Sequence, residues 1–350
     1  MSSLPFAYVR GAIHLPELAL WLDAHEARPH GERVFVSHAH SDHTASHREI
    51  IATEATRRLM QTRLGGKRVE HILPFGEMRA FDEPGPRYEI TLLPAGHILG
   101  SAMSLVKWHA GSLLYTGDFK LRPGLSAEVC DPTLAHGCDW LIMETTFGRP
   151  QYSFPPSTET RCDIVQFCRE TLAAGDTSVL LGYSLGRAQE LLRTLSDANL
   201  PIVVHRTVQQ MTRTYQELGW EFPAHELLTD EPITQKVVIC PSNGLKTVRP
   251  RIVGNARIAV ITGWAMDRNC RFRYQADAAF PLSDHADHPE LIEFVRRVNP
   301  KQVFTVHGFA SEFAQTLRDL GYDARALSEN DQLQLALGDR SHQLGLDDSR

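Results

Sequence analysis

An α/β protein in two parts is the fold class this sequence predicts, and three observations predict it. Short β-branched runs crowd the first 145 residues. Between residues 157 and 262 strands alternate with amphipathic helices, the pattern of a mostly parallel sheet with helices on both faces. From Phe280 onward the pattern changes to helix, strand, helix. A length of 350 residues, at about 150 per domain, agrees with two domains.

The elements follow in order. Arg33–Ser37 (RVFVS) reads as a strand and Ala45–Arg63 as a helix; Glu89–Leu93, Ser104–Lys107, Ser112–Thr116 and Trp140–Met143 read as strands. The proline-rich stretch Arg149–Pro156 (RPQYSFPP) marks a boundary. After it come helix Ser157–Ala174, strand Ser178–Gly182, helix Gly186–Ala198, strand Pro201–Val204 and helix Val208–Leu218, then strands near Lys236–Cys240 and Arg257–Thr262. Helix His288–Val298, strand Gln302–Val306 and helix Ser311–Leu320 complete the chain before a polar tail, Ser341–Arg350.

Composition narrows the function. With 42% hydrophobic and 22% charged residues the chain is neither disordered nor fibrous. No apolar run approaches the roughly 18 residues of a membrane span, and the start lacks a secretory signal pattern, so a cytoplasmic protein without a membrane partner is expected. A net charge of −6 excludes a globally basic nucleic-acid binder, though not a local basic groove. Six cysteines without a CxxC pair read as buried free thiols. The 17 histidines are the anomaly.

The strongest cluster is SHAHSDH at Ser37–His43, directly after a predicted strand. In extended chain, residues two apart point the same way, so His38 and His40 can grip one ion, while the loop turns Asp42 and His43 toward a second. Imidazole and carboxylate suit zinc, with manganese as an alternative. His97 (PAGHILGS), Asp118 (YTGDF) and His307 (TVHGF) each follow a predicted strand and neighbour a glycine, as a site built on loops above a sheet requires.

With these residues assembled, the chain resembles the metallo-β-lactamase superfamily: SHAHSDH matches its HxHxDH signature, followed in order by the single histidine and the bridging aspartate. Asp23, in LWLDAH, matches the early aspartate more weakly and is expected to support the ligand loop. METTFG (Met143–Gly148), GRAQELL (Gly186–Leu192), SDHAD (Ser283–Asp287) and TVHG (Thr305–Gly308) resemble the β-CASP branch, which contains nucleases of DNA and of RNA. Within it, the later segments most resemble the bacterial DNA-ligase-associated exonucleases. One departure stands out: a histidine at 307 is more typical of RNA-acting branches.

The resemblance implies an αββα sandwich with an inserted β-CASP α/β domain: residues 1–148 and 277–340 for the sandwich, 149–276 for the insert, 341–350 for the tail. It gives His38, His40 and His97 to one zinc, Asp42, His43 and His307 to the other, and Asp118 to both. It implies a nuclease, an exonuclease of DNA repair, in which a metal-bridging hydroxide attacks the phosphodiester. Asp42, Glu144 and His285 are the catalytic set, with His285 the general acid and Glu144 its orienting partner; the alternative for Glu144 is a local acid capping Thr145–Thr146. DNA, single-stranded or with duplex ends, is the expected partner and RNA the alternative. A DNA ligase or helicase partner follows from the family likeness only.

Residues Pro241–Gln275 carry seven basic side chains and one acid, net +6, which leaves −12 on the rest of the chain. Lys246, Arg268 and Arg271 are candidate phosphate contacts there, with Trp264, Phe272 and Tyr274 interleaved for base stacking. Ser184 and Arg187, at the expected start of a helix, are candidate substrate contacts as well. The same GYSLG stretch formally matches a serine-hydrolase nucleophile elbow, a rival that leaves the histidine cluster unexplained. A metallo-hydrolase of small molecules is a further alternative.

Overall fold

The computed structural model describes residues 4–28 and 32–327, so the expected polar tail lies outside the described residues. Two sheets form the sandwich. In the first, six strands lie in chain order: Ala7–Val9, Ala12–Leu15, Leu20–Leu22, Arg33–Phe35, Glu49–Ala52 and Val69–Ile72. The first three pair antiparallel and the rest parallel. The second sheet has seven strands, ordered Ala324–Ala326, Gln302–Val306, Trp140–Glu144, Gly111–Tyr115, Ala102–Trp108, Tyr88–Pro94 and Met78–Phe81. It is parallel from Ala324–Ala326 to Gly111–Tyr115 and antiparallel beyond.

The inner faces of the two sheets share one apolar core, in which Leu22, Phe35 and Ile51 meet Ile90, Leu113, Ile142 and Phe304. Helices His288–Val298 and Ala310–Asp319 cover the outer face of the second sheet through Phe294 and Phe313. Helix Glu54–Leu64 covers the first through Leu59 and Met60, completing an αββα arrangement. The third sheet is wholly parallel, ordered Glu226–Leu227, Ile202–Val204, Val237–Cys240, Thr177–Leu181, Ala256–Ile261 and Ala278–Phe280, with apolar clusters on both faces. Its last strand follows residue 276. Tyr215, on helix Arg206–Glu217 beside this sheet, packs into the cluster under the first sheet, and its hydroxyl accepts a hydrogen bond from Leu99 N.

One expected helix differs. Ala45–Arg63 holds a strand, Glu49–Ala52, before helix Glu54–Leu64. All four strand residues are buried between parallel neighbours, so sheet pairing overrides the local helical pattern. Thr53 makes the switch: its hydroxyl accepts from Thr56 N and caps the helix. Five cysteines are buried, whereas Cys162 is exposed. Among the described residues, no helix is long and apolar enough to cross a membrane.

Candidate metal centre

The site gathers where strands of all three sheets end. Asp23 follows Leu20–Leu22, and His38, His40 and His43 follow Arg33–Phe35. His97 follows Tyr88–Pro94, Asp118 follows Gly111–Tyr115, and Glu144 closes Trp140–Glu144. His285 follows Ala278–Phe280 and His307 follows Gln302–Val306. Strand ends fix where each loop starts, and short loops then deliver polar side chains to one place. That place is the floor of a cleft of about 810 Å³, walled on the other side by Tyr183, Ser184, Thr262, Trp264 and Tyr274.

Three imidazoles converge there, and their hydrogen bonds fix their tautomers. His40 Nε2 lies 3.1 Å from the Leu185 carbonyl and His97 Nδ1 lies 2.9 Å from the Asp284 carbonyl; a carbonyl only accepts, so both nitrogens carry the hydrogen. Ser37 Oγ donates to Asp23 Oδ2 at 2.6 Å and so accepts from His38 Nδ1 at 2.9 Å. Burial keeps all three rings neutral: it pushes His38 well below its usual value, lowers His97, and brings His40 to about 4. The inward nitrogens, His38 Nε2, His40 Nδ1 and His97 Nε2, are therefore bare lone pairs. His40 Nδ1 is 3.1 Å from each of the other two. Asp118 Oδ2 lies 3.5 Å from His38 and 3.7 Å from His97. Four acceptors at this spacing repel one another unless a cation sits among them. Tetrahedral zinc with bonds of about 2.0–2.1 Å would hold its ligands about 3.3 Å apart.

A second position adjoins the first. His43 donates Nδ1–H to Asp23 at 2.8 Å and turns Nε2 to Asp118 Oδ2 at 3.3 Å. Burial alone would lower His43, but the Asp118 and Asp23 carboxylates hold it well above its usual value. His307 faces His43 across 6.2 Å between ring centres. Asp118, touched by His38, His43 and His97, occupies the point between the two positions.

The scaffold beneath is over-determined. Asp23 is almost fully buried and accepts from Ser37 N and Oγ, His43 Nδ1 and Tyr115 Oη. Its φ is +50°, and that of His307 is +59°, a conformation that non-glycine residues hold only when their surroundings impose it. Gly117, at φ +53°, lets the Asp118 loop meet the histidine loop; a Cβ there would stand 2.5 Å from Ser37 Cβ.

Beside the cluster, His285 Nδ1 donates to Glu144, 2.9 Å from Oε1 and 3.1 Å from Oε2. Burial would lower His285, but the Glu144 charge, with Asp118 behind it, pushes it up to about 10. Glu144 itself accepts from Phe119 N at 2.9 Å and from Thr146 N at 3.3 Å, so one carboxylate both ties the local backbone and orients the imidazole.

Comparison with known proteins agrees with this geometry. Residues 277–327 match the Zn-dependent metallo-hydrolase RNA specificity domain. A protein of Opitutus terrae named a probable DNA ligase is 49% identical over 326 residues, which is 93% of this chain and 31% of that protein. The 5′ exonuclease Apollo of Gallus gallus is 28% identical over 312 residues, 86% of this chain and 64% of that protein. These matches support the β-CASP branch of the metallo-β-lactamase superfamily that the sequence resembles. The chain spans less than two thirds of the length of either relative. A crystal structure of a protein of unknown function from Enterococcus faecalis V583 shares the fold, with a TM-score of 0.57 at 13% identity over 85% of this chain and 79% of that one.

Other expected site residues stand apart from the cluster. Asp42 lines the cleft but is exposed, beside Arg63. Ser184 lines the opposite wall, and among the described residues its hydroxyl has no hydrogen bond to a histidine, which leaves the serine-hydrolase rival without a base. Arg187 is buried and paired with Asp284. Lys246, Arg268 and Arg271 are exposed outside the cleft, as is Phe272, while Trp264 and Tyr274 line it. Asp284 is the residue the sequence reading passed over, although it lies inside SDHAD. Burial would raise its carboxyl, but Arg187, then His97, hold it well below the usual range.

Proposed function

We propose that the protein is a dinuclear-metal phosphodiesterase that degrades DNA from an end during repair in the cytoplasm. The observation that carries this reading is the convergence of three bare imidazole nitrogens beside Asp118, with His40 Nδ1 3.1 Å from each of the other two, at a cleft lined by His285, the partner of Glu144. His38, His40 and His97 would hold one cation, His43 and His307 the other, and Asp118 both, with Asp42, exposed on the cleft wall, assigned to the second by the sequence likeness. Zinc fits this donor set, with manganese as the alternative. Two such cations polarise a phosphoryl oxygen and make a nucleophilic water available at neutral pH.

The chain's own residues supply the rest. Glu144 holds the Nδ1–H of His285 and keeps the ring protonated, so that Nε2 can give a proton to the leaving oxygen. Tyr183, Trp264 and Tyr274 offer aromatic faces along the cleft, and Lys246, Arg268 and Arg271 with Phe272 continue the path outside it. The names of two relatives, a probable DNA ligase and a 5′ exonuclease, favour DNA, and a ligase as the functional partner. RNA is the second reading, favoured by the name of the domain matched at residues 277–327. End-labelled single-stranded DNA and matched RNA, incubated with zinc- or manganese-loaded protein and with Asp118→Ala, test both. DNA shortened from one end, with RNA spared and the variant inactive, is the expected result. Preferential RNA cleavage would transfer the same chemistry to RNA, and no cleavage of either would overturn the nuclease reading.

A further inference from the structure

The inserted parallel sheet walls the cleft, and one of its own loops also reaches the ligands from behind. The loop Gly182–Gly186 leaves strand Thr177–Leu181 and opens helix Arg187–Thr194. Its Leu185 carbonyl accepts the His40 Nε2–H at 3.1 Å. Arg187, on the first turn, donates from Nη2 to Asp284 Oδ1, and the Asp284 carbonyl accepts the His97 Nδ1–H at 2.9 Å. The loop presses closely: at Gly186, φ +89°, a Cβ would stand 2.3 Å from Cγ2 of Ile98, the residue after His97. Of the three imidazoles around the first position, His38 is held through Ser37 and Asp23, His40 directly by Leu185 of the insert, and His97 by Asp284, whose side chain Arg187 of the insert pins.

We propose that the Leu185–Arg187 loop of the insert is part of the metal centre, and that Arg187 is a positioning residue rather than a substrate contact. The proposal rests on the metal-centre reading above. An imidazole ligand is set by what its other nitrogen touches: that bond fixes the tautomer, the ring plane and the basicity. Arg187 lines the cleft but is only 7% exposed; its Nη2 is committed to a carboxylate and its Nη1 is buried, so little of the guanidinium surface faces a phosphate in the cleft. By pinning Asp284 it fixes the main-chain carbonyl that orients His97. The consequence is that cation affinity and the seating of the nucleic-acid-facing domain are linked: whatever shifts the insert acts on His40 directly and on His97 through Asp284.

Zinc titration of the full chain against a chromophoric chelator, with no nucleic acid present, tests this directly. Wild-type protein should take up two ions. Arg187→Ala should weaken one of them by about 10–100-fold, the range seen when partners behind a ligand are removed, and leave the other nearly unchanged. Cobalt in place of zinc should show an altered d–d spectrum in Arg187→Ala and partial recovery in Arg187→Lys, whose ammonium can still pair with Asp284. Arg193→Ala, on the same helix and bonded to the Glu221 carbonyl, should match wild type. Wild-type zinc affinity and cobalt spectrum in a folded Arg187→Ala would overturn the proposal, as would loss of substrate affinity alone. Should Arg187→Ala fail to fold, as circular dichroism would show, Arg187→Gln is read by the same two outcomes. The titration is independent of the nuclease reading, which fails separately if zinc-loaded wild type degrades no nucleic acid.

Discussion

The floor of the cleft and its rim present the same kinds of polar side chain in opposite states. On the floor, His38, His40, His43, His97 and His285 each have one ring nitrogen held by a carbonyl, a hydroxyl or a carboxylate, and Asp23 alone accepts four hydrogen bonds. On the rim, Lys246, Arg268 and Arg271 stand in solvent, and Phe272 is 88% exposed. The floor is set before any ligand arrives, so little reorganisation is needed when charge develops in a reaction. The rim is loosely held, Arg271 by Nη1 to the Asp277 carbonyl at 3.4 Å, and can adapt to different backbones and bases, as contacts to a single strand require. Chemistry is fixed in one region and tolerance is kept in the other.

Substitutions ranked by size can break or sharpen that contrast. Asp118→Ala removes the carboxylate between the two positions and should abolish both turnover and tight zinc binding, measured by nuclease assay and metal analysis. His285→Ala should keep both metals but lower turnover by about 10²–10⁴-fold, the usual worth of general acid–base catalysis; near-normal turnover in metal-replete protein would remove this role. Glu144→Gln should act through pH. His285 must be protonated to donate, and the Glu144 charge raises it to about 10, so activity should persist through neutrality and fall as pH rises through that value. Without the charge, the alkaline limb should move to lower pH. Cations beside the ring would pull the limb down in both proteins without reversing the difference between them.

The rim substitutions should be the mildest. Phe272→Ala should raise KM for single-stranded substrate by an amount equivalent to about 1–3 kcal/mol of stacking, with kcat unchanged. Arg271→Ala should weaken binding to all sequences alike and flatten the dependence of affinity on salt by about one unit of slope. A kcat effect from either would mean that the rim belongs to the reaction and that the contrast is wrong.

How much was legible beforehand depends on the range of the interactions. Four of the inserted sheet's six strands and its longer helices were readable from the alternation of their patterns, because a helix of twelve or more residues such as Ser157–Ala173 or Arg206–Glu217 carries its own periodicity, whereas Glu226–Leu227 and Ala278–Phe280 were too short to show one. Strands of three or four residues at Ala7–Leu22 do not, and neither does Glu49–Ala52, which is held by partners on both sides. The histidines and Asp118 stood out because ligand chemistry needs those residue types just past strand ends. Asp284 did not, because its importance lies in a main-chain carbonyl and in an arginine 97 positions away. Arg187 reads in the sequence as a basic residue opening a helix, and its pairing with Asp284 is legible only in the structure for the same reason.

By itself, then, the sequence determined the class of chemistry and the order of the architecture, since residue type and local period are properties of short segments. The tertiary structure alone decided which nitrogen of each histidine faces inward, how Asp23 and Glu144 divide their hydrogen bonds, and that the insert meets His40 through Leu185 and Asp284, the partner of His97, through Arg187. Those are distances between strand ends far apart in the chain, and they come into being only when the sheets close on one another.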